Sequence, residues 1–176
     1  MWIFVRSFPS HYWIVAPRAP HVTRPGGFSW RPMQPGRREP PSFEDLLPST
    51  EALIALIDDY AGENHLPASP FDAIGFSQGA AVANTLALQY PRRVRRVGVL
   101  AGFVPTGAEK LLQARQLDGI PFFVAHGTLD EMVPVESARR SVQLLQQAGA
   151  AVTFCEDEVH HKVSAGCLRG LEAFFA

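Results

Sequence analysis

Gly75-Phe76-Ser77-Gln78-Gly79 closes a short apolar run, Phe71–Phe76, and opens an alanine-rich stretch that continues to about Tyr90. The run has the length of a buried strand and the stretch has helical character, so these five residues form a strand-to-helix turn. A serine at the tip of such a turn sits in strained backbone geometry. Glycines two positions to either side let neighbouring chain pass close without a β-carbon clash. The helix N-terminus favours a developing anion, and the backbone N–H of Gln78 is one donor to it. With 14 glycines in 176 residues, chance flanks some serine in this way roughly 6% of the time. Requiring the strand and the helix lowers that further.

On both sides of the turn the pattern is regular. Upstream, Leu53, Ile54, Leu56, Ile57 and Tyr60 recur at helical spacing, bounded by Gly62 and Pro67. Downstream come a strand at Val94–Leu100, a weak helix around 108–116 and a strand at 120–125. Ala138, Val142 and Leu145 make a helical face closed by Gly149, residues 151–155 read as the last strand, and a final helix from about Ser164 carries Leu168, Leu171 and Phe175 on one side. This alternation predicts an α/β fold, a mostly parallel sheet with helices on both faces, whose sites form beyond the carboxyl ends of the strands. Residues 1–176 read as a single domain. Within it, residues 1–48 are Pro-rich and loop-dominated, nine of the fifteen prolines falling between positions 9 and 48. Residues 12–16 are an apolar run fit for a buried strand.

Composition narrows the functional classes. Apolar residues make up 47% and charged residues 19%, ordinary for a globular domain, and the net charge of −1 gives no pull toward nucleic acid. Six arginines against Glu39 within residues 1–41 are scattered among prolines and read as solvated surface. The start, Met1 to Val5 before Arg6, is too short for a signal h-region or a membrane span. Cys155 and Cys167 lack framework spacing and are expected to be reduced and packed, which suits a cytoplasmic protein.

Two further segments follow strands and carry reactive side chains. His126-Gly127-Thr128-Leu129-Asp130 follows the strand at 120–125, where the Asp130 carboxylate can reach an imidazole and fix its tautomer. His126, at the strand end, reads as a structural hydrogen-bonding residue. Val159-His160-His161-Lys162-Val163 lies between the last strand and the final helix and supplies a base near neutral pKa for a weakly acidic serine. The order Ser, Asp, His suits nucleophilic chemistry on this class of sheet, while spacing alone does not separate His160 from His161. Adjacent histidines raise a metal reading, but no partner His or Cys lies at ligand spacing, so no metal or cofactor is expected. His11, His21 and His65 read as surface residues.

At these residues the chain resembles the phospholipase/carboxylesterase family of α/β-hydrolases, which includes acyl-protein thioesterases and bacterial carboxylesterases. Ile14-Val15-Ala16-Pro17-Arg18-Ala19-Pro20 resembles the family's strand leading into an Ala-Pro loop, and Gly26-Gly27-Phe28-Ser29-Trp30 its Gly-Gly-aromatic-x-Trp segment. Gly75 to Ala80 is similar to its Gly-Phe-Ser-Gln-Gly-Ala elbow, and His126 to Pro134 to its His-Gly-x-x-Asp-x-x-Val-Pro stretch. The family's catalytic histidine stands in Gly-His-x-Val. Here His161-Lys162-Val163 matches, with His160 in place of the glycine, so the resemblance selects His161. It also implies an early His-Gly loop that provides a second oxyanion donor. This sequence starts downstream of that loop, so the resemblance is to an N-terminally shortened α/β-hydrolase.

The expectation is a serine carboxylesterase that hydrolyses small-molecule esters through an acyl-enzyme on Ser77, with His161 as base, Asp130 as orienting acid and the Gln78 N–H as oxyanion donor. Phe28, Trp30, Phe103 and Met132 are candidates to surround the acyl chain, and thioesters or lysophospholipids are further substrates of the class. Two other readings stand beside it: an impaired hydrolase-fold protein serving as a binding module, and a structural protein that hides its open sheet edge in a homodimer. A dienelactone-hydrolase-type enzyme would need cysteine where position 77 is serine.

Overall fold

Alternation along each strand sorts its side chains onto two faces of a sheet, and the hydrophobic clusters of this chain follow that rule. The computed structural model describes residues 2–23, 26–33, 36, 39–67 and 70–176. Its elements are β1 (His21–Thr23), β2 (Gly27–Ser29), α1 (Phe43–Glu63), β3 (Phe71–Phe76), α2 (Gln78–Gln89), β4 (Val94–Leu100), α3 (Glu109–Gln113), β5 (Pro121–Gly127), α4 (Val135–Gln147), β6 (Ala151–Asp157) and α5 (Ala165–Phe175). One sheet has the order β3-β4-β5-β6 and is parallel throughout. Val97, Val99, Phe122 and Val124 pack on one face with Phe43 of α1, Leu86 of α2 and Leu145 of α4. Leu100, Phe123 and Ala125 pack on the other with Leu171 and Phe175 of α5 and with Phe4. Helices thus cover both faces, and all four carboxyl ends open at one rim.

Three sequence expectations are corrected here. Residues 12–16 form no strand and are not buried, Trp13 being 64% and Val15 42% exposed. Their apolar side chains instead line a cavity of about 520 Å³, bounded opposite by Leu53 and Leu56 of α1 and by β3. Regular structure also begins before Ser49. Ser42 Oγ accepts from the Asp45 N–H at 3.2 Å, and the Asp45 carboxylate accepts from the Ser42 N–H at 2.9 Å. That reciprocal cap starts α1 at Phe43 and carries it past the internal Pro48. The cysteines, finally, are not reduced. Cys155 of β6 and Cys167 of α5 both face the α5 side of the sheet and form a disulfide, their Cα atoms 5.7 Å apart.

The short antiparallel ladder of β1 with β2 lies within the stretch expected to be loop and pairs Val22 with Phe28. Among the described residues, no helix is long and apolar enough to cross a membrane.

Candidate active site

Ser77 ends β3 and stands at the N-cap of α2 with φ 55° and ψ −120°, a region that L-residues rarely occupy. Its N–H donates to the Leu100 carbonyl at 2.8 Å, and its own carbonyl accepts from the Ala80 N–H at 3.0 Å. The bend is therefore tied to β4 on one side and to α2 on the other. Gly75 is what lets it close, since a Cβ there would lie 2.0 Å from the Gly79 carbonyl oxygen. The second flanking glycine is different: a Cβ on Gly79 would meet only Trp30 Nε1 at 3.8 Å, an ordinary contact. Clearance explains the first glycine of the motif and not the second. Behind the bend, Ala80 to Leu88 are all buried, small residues predominating where α2 lies on the sheet.

Ser77 Oγ–H donates to His161 Nε2 at 2.9 Å, and His161 Nδ1–H donates to Asp130 Oδ2 at 2.7 Å. Asp130 Oδ1 accepts from the backbone N–H groups of Met132 and Val133, both at 2.9 Å. The Asp130 side chain has no exposed surface and His161 keeps 21% of its own, so the imidazole is open to solvent and the carboxylate is not. Burial pushes the Asp130 carboxyl up, but the Val133 N–H, His161 and the Met132 N–H together outweigh it and hold it below the usual aspartate value. Asp130 is thus an anion over the whole range in which an imidazole changes charge.

Neighbouring groups fix this arrangement. His126 Nε2–H donates to the Val133 carbonyl at 2.8 Å, bracing the turn that holds Asp130. Gly127 lets the histidine loop press on β5, since a Cβ there would lie 2.1 Å from the Val159 carbonyl oxygen. The Phe76 ring sits 5.0 Å from that of His161. His160, the other candidate from spacing, points elsewhere: its Nδ1 lies 3.1 Å from the Leu129 carbonyl oxygen and the residue is exposed.

Sequence reasoning gave Gln78 only a backbone role, and its side chain has a second one. Its Oε1 accepts from the Trp30 N–H at 2.9 Å, and its Nε2 donates to Ser29 Oγ at 3.1 Å. The glutamine between serine and glycine in the motif was the available signal. The four candidates for an acyl site divide in two. Trp30 and Phe103 pack on the cluster of Leu46, Ala81 and Val82. Phe28 is 45% exposed beneath the Arg18 guanidinium, and Met132 is 75% exposed. Among the described residues, no group of three or more His, Cys, Asp or Glu side chains gathers as a metal site would require.

The family described as Phospholipase/Carboxylesterase matches the chain over residues 3–176. A probable carboxylesterase of Oryza sativa subsp. japonica is 29% identical over 96% of this chain and 64% of its own length. Acyl-protein thioesterase 1 of Debaryomyces hansenii is 33% identical over 57% of this chain and 44% of its own. Among solved structures, esterase PE8 superposes with a TM-score of 0.74 at 27% identity, covering 91% of this chain and 75% of that one. The chain spans roughly half to two thirds of the length of the curated relatives it matches.

Proposed function

The chain belongs to the phospholipase/carboxylesterase family, and from that membership we propose that it is a serine hydrolase of small carboxylic esters acting through an acyl-enzyme on Ser77. The single observation that supports this mechanism is the unbroken hydrogen-bond chain from Asp130 through His161 to Ser77. In the first half-reaction His161 Nε2 takes the Ser77 proton as Oγ bonds to the ester carbonyl carbon. The imidazolium so formed is stabilised by the Asp130 anion and returns its proton to the departing alcohol. The Gln78 N–H, at the start of α2, stabilises the negative oxygen. In the second half-reaction water is deprotonated by the same imidazole and releases the acid.

A fluorophosphonate probe tests the reading directly. It should label the purified chain in one place, and fragment mass spectrometry should put the adduct on Ser77. A probe that labels nothing, or labels another residue, refutes the assignment.

For substrate, short- to medium-chain esters fit best, with thioesters a second class within the same chemistry. Trp30 and Phe103 are the proposed wall for the acyl chain, and Phe28 and Met132 its exposed lip. Across a series of p-nitrophenyl esters, Trp30→Ala should lower kcat/KM for octanoate about tenfold more than for acetate. An equal loss at every chain length would remove Trp30 from the acyl site. Near-zero rates throughout the series in the unsubstituted chain would favour the binding-module reading.

A further inference from the structure

We propose that Cys155 and Cys167 form a redox-controlled clamp on the loop that carries His161, so that reducing the bridge slackens the loop and slows hydrolysis. The effect on rate rests on the hydrolase reading above, while the effect on the loop rests on chain topology alone.

The bridge joins β6 to the first turn of α5, and His161 lies midway along the twelve-residue separation of the two cysteines. Both stems of the histidine loop are therefore tied to each other by a covalent bond. Non-covalent contacts hold the loop beside it. One of its backbone hydrogen bonds, Lys162 N–H to His160, is internal, while another, Val159 N–H to the Asp157 carbonyl, ties it to the end of β6. Its ties to the neighbouring turn are the Leu129 N–H to the Val159 carbonyl at 3.1 Å, the exposed contact of His160 with Leu129 and the His161–Asp130 bond at 2.7 Å. The Asp157 and Ser164 side chains bond each other across the stems. At the other stem, Ser164 Oγ caps α5 by accepting from the N–H of Cys167 itself, at 3.0 Å. The clamp and the helix start thus share a residue, and movement of one carries the other.

Cys155 is half-buried on β6, the outer strand of the sheet, and Cys167 is buried. A dithiol reductant therefore approaches from the Cys155 side. Its thiolate attacks the Cys155 sulfur, and the Cys167 sulfur leaves and takes up a proton. The second thiol of the reagent then displaces Cys155 as a thiol, leaving the reagent as a cyclic disulfide and the protein with two more electrons and two more protons. With the bridge open, His161 relies on non-covalent contacts alone, chiefly its bond to Asp130, to stay within reach of Ser77. A displacement near 1 Å slows such chemistry by up to about a hundredfold.

The test compares the full chain in oxidised and dithiothreitol-reduced states, with free thiols counted under denaturing conditions. No thiols should titrate before reduction and both cysteines after it. On reduction kcat for p-nitrophenyl acetate should fall roughly ten- to a hundredfold with KM little changed, and reoxidation should restore it. Amide hydrogen exchange across residues 157–164 should speed up at the same time. A Cys155→Ala/Cys167→Ala double variant should match the reduced state and ignore dithiothreitol. Free thiols in the air-oxidised chain, exchange unchanged by reduction, or equal kcat in an active chain in both states would each overturn the clamp. Faster loop exchange in a chain that hydrolyses no ester in either state would instead sink the hydrolase reading and support the clamp.

Discussion

Ser77→Ala should remove ester hydrolysis almost entirely, lowering kcat by about 10⁴-fold or more to the residual rate that binding and oxyanion donors alone sustain. The size of the loss follows from the role proposed for the hydroxyl: it is the atom that bonds to the acyl carbon, and among the described residues no other side-chain hydroxyl shares a hydrogen bond with His161. Folding should be little affected. Among the described residues Ser77 Oγ bonds only His161 Nε2, and the His161 side chain is 21% exposed, so an alanine leaves that nitrogen to water. The unusual backbone angles are the same for alanine as for serine. Thermal unfolding followed by circular dichroism should therefore shift by no more than about 1 kcal/mol in stability, while turnover disappears. A folded variant that keeps more than a hundredth of the parent kcat, by an approximate steady-state measure, would show that the nucleophile lies elsewhere.

Asp130→Asn should be the next most damaging change, with kcat down about 10⁴-fold and KM nearly unaltered. Geometry supplies the reason. One carboxylate oxygen accepts two backbone N–H groups, from Met132 and Val133, and the other accepts the His161 Nδ1–H. An asparagine has a single acceptor oxygen. Pointing it at the two N–H groups keeps more hydrogen bonds, which turns the amide NH₂ toward His161. Nδ1 must then accept, the proton moves to Nε2, and the nitrogen facing Ser77 loses the lone pair it needs. Steady-state kinetics of the purified variant decide the matter, and a drop below tenfold would contradict the tautomer argument. The same substitution probes linkage. The Asp130 carboxyl titrates below its usual value in the folded chain. Its contribution to stability is thus complete above the ordinary aspartate pKa and is lost as pH falls through the depressed folded value. Asparagine should flatten that acid limb of the stability profile.

From Phe71 onward the sequence was close to self-explanatory. The strands at Phe71–Phe76 and Val94–Leu100 stand where the apolar runs end, because in a parallel sheet covered on both faces a strand is little more than such a run. The next two ran longer than expected: β5 continues to Gly127 and β6 to Asp157, since polar residues at the rim still pair after the core has ended. Residues 1–48 were harder. Proline content there suggested little regular structure, and it hid the cap at Ser42 and the β1–β2 ladder, while the apolar run at 12–16 gave no sign that it would border a cavity. As candidates, Ser77, Asp130 and the His160–His161 pair stood out because each follows a strand, and the resemblance to the family then selected His161. The Gln78 side chain reaching Ser29 and Trp30, and the pairing of Cys155 with Cys167, could not, because both contacts depend on how distant segments are layered rather than on any local pattern.

Ser77 holds a side chain at φ 55°, angles that glycine adopts without strain. Glycine at this position would relax the bend by about 1–3 kcal/mol while deleting the hydroxyl proposed to carry the acyl group. Durability and usefulness are therefore opposed at a single residue. A lineage relieved of any need for turnover would be free to let this hydroxyl go and would gain a sturdier protein by doing so, so the loss of chemistry and the loss of the fold would run on separate clocks.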